Sequence, residues 1–271
     1  MSSVVTLRTV VTKKEPCGLF FEHLCRARER VLLLDYDGTV APFSTQRNRA
    51  FPYPTVAELL DCIMSTCRTR VVLITGRAAR QVPPLLGLNP HPEVWGTYGI
   101  ERLQPNGRYV VAHLSDETQR ALAEADTRLQ NEGLSESVEI KPGAIAVHWR
   151  GLNPLRVNEA KTAAYRVLSP LALAHHLLLS EFDGGLEMRE PLCSKGDVVN
   201  SVLSEHAPDV PVAYLGDDAT DEDAFRALYG RGLTVLVGPR HRFTAAQMWI
   251  RPPEELVQFL TDWIRACGGE L

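Results

Sequence analysis

The feature that most constrains this chain is the run VLLLDYDGT at 31–39, in which four apolar residues stop at two acids and a glycine. A short, unbroken apolar run of this kind reads as a strand buried on both faces that ends in a loop. The pattern recurs as RVVLITGR at 70–77 and VAYLGDD at 212–218. Strand signals also appear at 93–101 (EVWGTYGIE) and 233–238 (LTVLVG). Between them, apolar residues at helical spacing predict helices at 17–29, 54–67, 195–205, 220–228 and 253–266, with a short helix and a Pro-rich loop after residue 77. Strands buried on both faces and alternating with helices make a parallel α/β sheet. In such sheets chemistry collects at the carboxyl ends of the strands.

The middle of the chain reads differently. Asn106-Gly107 is a hairpin turn signal. A polar helix is expected at 115–132, capped by Ser115 or Asp116. VEIKPGAIAVHWRG at 138–151 gives two short runs around Pro142-Gly143, followed by a helix at 158–168. LLLSEFDGGLEMRE at 177–190 reads as a hairpin around Asp183-Gly184-Gly185. These are antiparallel signals. With 271 residues, 45% of them hydrophobic, the chain can bury more than one core. The expected division is a core of 1–110 plus 191–271, interrupted by an α+β insert at 111–190.

Composition excludes several classes. The formal charge of −4 gives no general attraction to nucleic acid or anionic lipid. An anionic substrate would have to be met locally, by a cation or a few placed basic side chains. The most apolar later stretch, 168–179, is too short to span a membrane and contains Pro170, His175 and His176. The segment MSSVVTLRTVVTKKEPC is broken by Arg8, Lys13 and Lys14 and does not read as a secretory leader. Cys17, Cys25, Cys62, Cys67, Cys193 and Cys267 form no CxxC pair and read as reduced thiols of a cytoplasmic protein.

Four clusters carry chemistry. In Asp35-Tyr36-Asp37-Gly38-Thr39, two carboxylates two residues apart can face one site where the chain begins to turn. One can attack phosphorus while the other shuttles a proton. Thr75-Gly76-Arg77 offers a hydroxyl and amides to a phosphate oxygen, although strand-Thr-Gly is also ordinary turn chemistry. Ser194-Lys195-Gly196-Asp197 opens a helix and sets an ammonium beside its N-terminus, where a lone lysine could equally be solvated. Gly216-Asp217-Asp218-Ala219-Thr220-Asp221-Glu222-Asp223 is too dense in carboxylates to stay unpaired. A hard cation with oxygen ligands resolves it, and helix capping by Asp218, Thr220 or Asp221 can account for some members.

In this order the four clusters resemble the signature motifs of the haloacid dehalogenase superfamily. LDYDGTVAP, TGR, WGTYGIE, VEIKPGAIAVHWR, GLEMREP, SKG and LGDDATDEDAF together resemble the trehalose-6-phosphate phosphatase family. The resemblance implies a Rossmann-like parallel-sheet α/β core with an inserted α+β cap. It implies Asp35 as the nucleophile, Asp37 as general acid and base, and Thr75 and Lys195 as phosphoryl binders. Mg²⁺ would be held by Asp35, the carbonyl of Asp37, and Asp217, with Asp218 and Asp221 in or near its second shell. The substrate implied is a sugar phosphate, trehalose 6-phosphate, contacted first by Lys141, Glu187 and Arg189 and then by His148 and Glu101. The bland alternatives are an exposed strand lysine at Lys141, a cap-core histidine at His148, and Glu187 and Arg189 pairing with opposite charges across the hairpin. Tyr98-Gly99 departs from the family, since many relatives have His-Gly there.

Other functions share this frame. A phosphatase for another sugar phosphate, such as sucrose phosphate or a phosphorylated glyceryl glycoside, would carry the same core motifs. A regulatory domain that has lost catalysis is argued against by intact Asp35, Asp37, Lys195 and Asp217. A phosphomutase would need a cap that lets a bisphosphate reorient, and nothing in the sequence marks one.

Overall fold

A computed structural model describes residues 15–182 and 184–269. The segment 1–14, where the reading of an absent leader falls, and Asp183 of the expected hairpin turn lie outside the described residues.

The larger sheet has eight strands: β1 (Arg30–Leu34), β2 (Thr69–Ile74), β3 (Glu93–Gly96), β4 (Glu101–Leu103), β5 (Tyr109–Val111), and, after the insert, β10 (Val212–Gly216), β11 (Leu233–Val237) and β12 (Met248–Ile250). Their spatial order is β12-β11-β10-β1-β2-β3-β4-β5. The strands from β12 to β3 run parallel, and β4 and β5 are added antiparallel. Alternation along the strands sorts side chains to two buried faces. Leu32, Leu34, Leu73 and Leu215 pack with α1 (Glu15–Arg26), α2 (Val56–Thr66), α3 (Val82–Leu86) and α8 (Glu254–Ala266). Val31, Leu33, Ile74 and Tyr214 pack with α6 (Lys195–Ser204) and α7 (Glu222–Ala227). The apolar runs are unbroken because both faces are covered.

The insert forms its own antiparallel sheet of β6 (Val138–Lys141), β7 (Ala144–His148), β8 (Leu178–Phe182) and β9 (Gly185–Arg189), in the order β6-β7-β9-β8. One face is covered by α4 (Asp116–Asn131) and α5 (Pro154–Ala174) through Ile145, Val147, Leu186 and Met188. Ser115 caps α4 by accepting from the Thr118 amide at 3.0 Å. The opposite face carries Glu139 and Lys141 of β6, Ala144, Ala146 and His148 of β7, and Glu187 and Arg189 of β9. Register fixes this, since Glu139 pairs with Ala146 and Ala146 with Glu187, while Lys141 pairs with Ala144 and Ala144 with Arg189. This face turns to the core.

Three expectations change. The segment 93–101 is not one strand: the chain reverses at Thr97 (φ 44°) and Tyr98 (φ 57°), so β3 and β4 lie antiparallel. The helix expected at 158–168 runs over Pro154–Ala174, started by Asn153, whose side chain accepts from the Arg156 amide, and passing through Pro170. β5 extends to Val111, so the larger sheet runs one residue into the segment assigned to the insert.

Candidate active site

Three strand ends and one helix start converge. Asp35 follows β1, Thr75 follows β2 and Asp217 follows β10. β1 lies between the other two, the point of an open sheet where the chain departs to either side and a crevice opens. Lys195 is the first residue of α6, whose start is set by a capping box: Ser194 accepts from the Asp197 amide and Asp197 accepts from the Ser194 amide. The Lys195 Nζ donates to Asp35 Oδ1 at 2.7 Å and to Asp221 Oδ1 at 2.8 Å. All three side chains are buried.

One oxygen from each of Asp35, Asp217 and Asp221 lies within 4.8 Å of the others. Against three carboxylates the immediate site sets one ammonium. Burial, opposed by Lys195 and reinforced by Asp221 and Asp218, pushes Asp35 up to about 8. Burial and then the charge of Asp35 hold Asp217 well above the usual carboxylate range. Burial works against the Lys195 ammonium, but Asp221 and Asp35 outweigh it and raise its pKa well above the ordinary value. The cluster is short of positive charge.

Its members differ in what they leave free. Asp221 is saturated: Oδ1 accepts from Lys195 and from the Tyr214 hydroxyl at 2.5 Å, and Oδ2 from the amides of Asp217 and Asp218. It shapes the loop. Asp218 is used on the Thr220 amide and hydroxyl. Asp35 Oδ2 and the Asp217 carboxylate accept nothing from the described residues, so they are the oxygens open to a hard cation. Gly38, at φ 87°, leaves the space that the Asp217 carboxylate fills, and a Cβ there would collide with it.

Asp37 is gripped by Arg77, with Nε to Oδ2 at 2.5 Å and Nη2 to Oδ1 at 2.7 Å. Arg77 also donates to the carbonyl of Arg47 at 2.9 Å. It is thus engaged by protein groups rather than extended toward a phosphate. Thr75 is buried, and its hydroxyl accepts from the Arg77 amide at 3.1 Å.

The cap residues divide. Lys141 and Glu187 are buried and paired with each other, and Lys141 Nζ also donates to the carbonyl of Gly76 at 2.9 Å. Lys141 therefore ties the cap to the end of β2, and Glu187 sits beside it above the core motifs. Arg189 donates to the carbonyl of Cys193 at 3.0 Å, and its guanidinium lies 4.5 Å from the ring centroid of Tyr98. His148 lies aside from these, bonded to Arg47 at 2.8 Å and to Glu139 at 3.1 Å. Glu101 has a different occupation from the sugar contact expected of it. It is buried, and its carboxylate accepts from the Ala79 amide, the Thr97 hydroxyl and the Tyr109 hydroxyl. All of its capacity goes to holding the end of the core sheet.

Three residues near the site, Arg47, Glu139 and Arg242, carry no signal in the sequence. Glu139 pairs with Arg47 across the gap between cap and core and accepts from Gln81. Burial disfavours its charge, but the bond to His148 and the charges of Lys141 and Arg47 hold its carboxyl well below the usual range. Arg242 donates to the carbonyls of Asp217 at 3.2 Å and Asp218 at 2.6 Å, steadying the acidic loop from beyond β11. Tyr98 occupies the seam between cap and core. A lone Arg or Glu outside a motif is indistinguishable in sequence from a solvated one.

Residues 33–239 match the family profile described as Trehalose-phosphatase. The chain is 31% identical over 252 residues to the trehalose-phosphate phosphatase of Mycobacterium tuberculosis, covering 86% of this chain and 61% of that protein. It is 28% identical over 272 residues to trehalose-phosphate phosphatase B of Arabidopsis thaliana, covering 90% of this chain and 70% of that one. Two other curated relatives are longer still, and the chain spans 31% and 29% of them. Among solved structures, the C-terminal domain of the C. albicans trehalose-6-phosphate phosphatase superposes with a TM-score of 0.73 at 20% identity, over 93% of this chain and 97% of that one. That likeness concerns the fold, and it agrees with the α/β core expected from the apolar runs. With a profile match across most of its length, the chain belongs to the trehalose-phosphatase family.

Proposed function

We propose that this protein hydrolyses trehalose 6-phosphate to trehalose and phosphate, with Asp35 as the nucleophile. The observation that carries the reading is the meeting of Asp35, Lys195 and Asp217 at the sheet's crevice, beneath the charged face of the cap sheet. In the first step an Asp35 oxygen bonds to phosphorus, and the bond from phosphorus to the sugar oxygen breaks. Asp37 gives that oxygen its proton. For this Asp37 must part from Arg77, which grips both of its carboxylate oxygens. In the second step Asp37 takes a proton from water, the water oxygen bonds to phosphorus, and the aspartyl phosphate opens to phosphate and free Asp35. Lys195 offers its remaining donor capacity to the phosphoryl oxygens, and the Thr75 hydroxyl lies on the same rim.

The free oxygens of Asp35 and Asp217 suit Mg²⁺, completed by the carbonyl of Asp37. That ion supplies charge neutralisation of the phosphate and its alignment with Asp35. Segment 111–190, acting as a cap, would select the sugar through Lys141, Glu187 and Arg189. Among the described residues no helix is long and apolar enough to cross a membrane. The six cysteines, all free, suit the reducing cytoplasm.

The test is phosphate release over a panel of sugar phosphates, including sucrose 6-phosphate and phosphorylated glyceryl glycosides, with Mg²⁺ and with chelator. Release should be greatest by far on trehalose 6-phosphate and should vanish with chelator. Preference for another ester would overturn the substrate, and full activity after metal removal would overturn the cofactor.

A further inference from the structure

The four motifs use the ends of β1, β2 and β10 and the start of α6, but the sheet order brings a further strand end to the same crevice. β3 lies beside β2, and its carboxyl end runs into Thr97 and Tyr98. The Tyr98 amide donates to the carbonyl of Thr75 at 3.0 Å, fastening the turn to the end of β2. Both Thr97 and Tyr98 have left-handed backbones, which β-branched and aromatic residues rarely adopt. Such conformations persist where surrounding structure imposes them, and they cluster at functional sites. Here the Tyr98 phenol is carried back over the end of β2. A Cβ on Gly76 would stand 2.7 Å from its hydroxyl oxygen, so only glycine leaves the phenol its place.

The ring meets both halves of the site. The Arg189 guanidinium lies 4.5 Å from its centroid and the Lys141 Nζ 6.0 Å. The phenol also feels the charges of Glu187 from the cap and of Lys195 and Asp218 from the core. The neighbouring polar groups of this seam are already engaged: Lys141 with Glu187 and Gly76, Arg77 with Asp37 and Arg47, Glu139 with Arg47 and His148. The Tyr98 hydroxyl differs, since it bonds to none of the described residues although the side chain is half-buried. A neutral hydroxyl, donor and acceptor at once, suits a sugar hydroxyl better than a phosphate oxygen.

The geometry points to Tyr98 as a substrate-contacting residue that hydrogen-bonds the sugar hydroxyls beside the phosphate, so that the core as well as the cap discriminates among leaving groups. This rests on the sugar phosphatase reading above. The cap face alone is then not the whole specificity surface, and replacing the cap would not by itself transfer the substrate preference.

The test is Tyr98→Phe, which keeps the ring, its contact with Arg189 and the backbone conformation, and removes only the hydroxyl. Steady-state kinetics are compared on trehalose 6-phosphate and on p-nitrophenyl phosphate, with orthovanadate inhibition and the thermal transition alongside. The value of kcat/KM on the sugar ester should fall on the order of tenfold, as for loss of one neutral hydrogen bond. The ratio of sugar ester to p-nitrophenyl phosphate should drop by about fivefold or more, while vanadate, which carries no sugar, inhibits wild type and variant alike. Equal losses on both substrates would make Tyr98 part of the general architecture and overturn the assignment. Retention of the wild-type ratio would overturn it as well. Gly76→Ala, whose methyl would push the hydroxyl aside, reads the same ratio if the phenylalanine variant does not fold. Should the wild type prefer another sugar phosphate, the substrate reading fails, and the Tyr98 ratio is measured on that ester instead. Should it hydrolyse no sugar phosphate, both proposals fall.

Discussion

At the scale of single residues, the proposed reaction places the chemistry on one carboxylate. Asp35 is buried, and its only bond to a described side chain is the one from Lys195. Asp35→Asn keeps the shape and can still bond to neighbours, but an amide cannot attack phosphorus. Phosphate release should fall by about 10³-fold or more, the scale for losing a nucleophile that other residues cannot replace. A thermal transition near that of the wild type would show that the fold survives, and near-normal turnover would exclude the mechanism. Asp37 and Arg77 show a second point at this scale. Both Asp37 oxygens are bonded to the Arg77 guanidinium, so this carboxyl can reach a leaving oxygen only once Arg77 yields. Arg77 also touches Arg47, and Arg47 pairs with Glu139 of the cap. The position of Asp37 is therefore connected to cap position by two side chains.

At the scale of elements, the cap sheet presents a charged face over the core because its register puts Glu139, Lys141, Glu187 and Arg189 on one side and its apolar residues on the other. Glu187→Ala removes the carboxylate paired with Lys141, which keeps its bond to the Gly76 carbonyl. Activity on trehalose 6-phosphate should fall by on the order of 10²-fold, and by clearly less on p-nitrophenyl phosphate, which has no sugar for the cap to read. Equal losses on the two substrates would put Glu187 in the architecture and move recognition elsewhere in the cap. The elements themselves were legible to different degrees. The strands carrying Asp35, Thr75 and Asp217 stand out because burial on both faces leaves an unbroken apolar run, and the chemistry follows within one or two residues. The reversal at Thr97 and Tyr98 was not legible, because these residue types disfavour the left-handed backbone they adopt. Because neither Thr97 nor Tyr98 is itself a Gly, Asn or Pro, EVWGTYGIE reads as one strand. β12, at three residues, is too short to show a period. Arg242 and the pair of Arg47 and Glu139 gain their roles only from tertiary contacts, which local sequence does not encode.

At the scale of the whole molecule, the uncompensated acids of the crevice set how stability depends on pH. Burial raises the folded-state pKa of Asp35 to about 8 and raises those of Asp217 and Asp221. A group shifted upward in this way contributes stability fully below its unfolded pKa, near 4 for an aspartate, and loses it as pH rises toward the folded value. In metal-free protein the thermal transition should therefore fall between pH 6 and pH 8, and it should fall less in Asp35→Asn. Mg²⁺ should raise it more at pH 8 than at pH 6, because the ion competes with protons for the same oxygens. A metal-free transition that is flat over this range, or that falls as steeply in the mutant, would contradict this. The strand order has a further consequence for the moment at which the enzyme comes into being. β1 pairs early in the chain with β2, but its other neighbour, β10, follows only after the whole cap has been made. During synthesis Asp35 waits on an open sheet edge, with neither Lys195 nor Asp217 yet emerged. Chains stopped before residue 191 should carry β1 to β5 and the cap, without Lys195 or Asp217, and hydrolyse nothing, so that catalysis switches on only when the last third of the protein closes the sheet around Asp35.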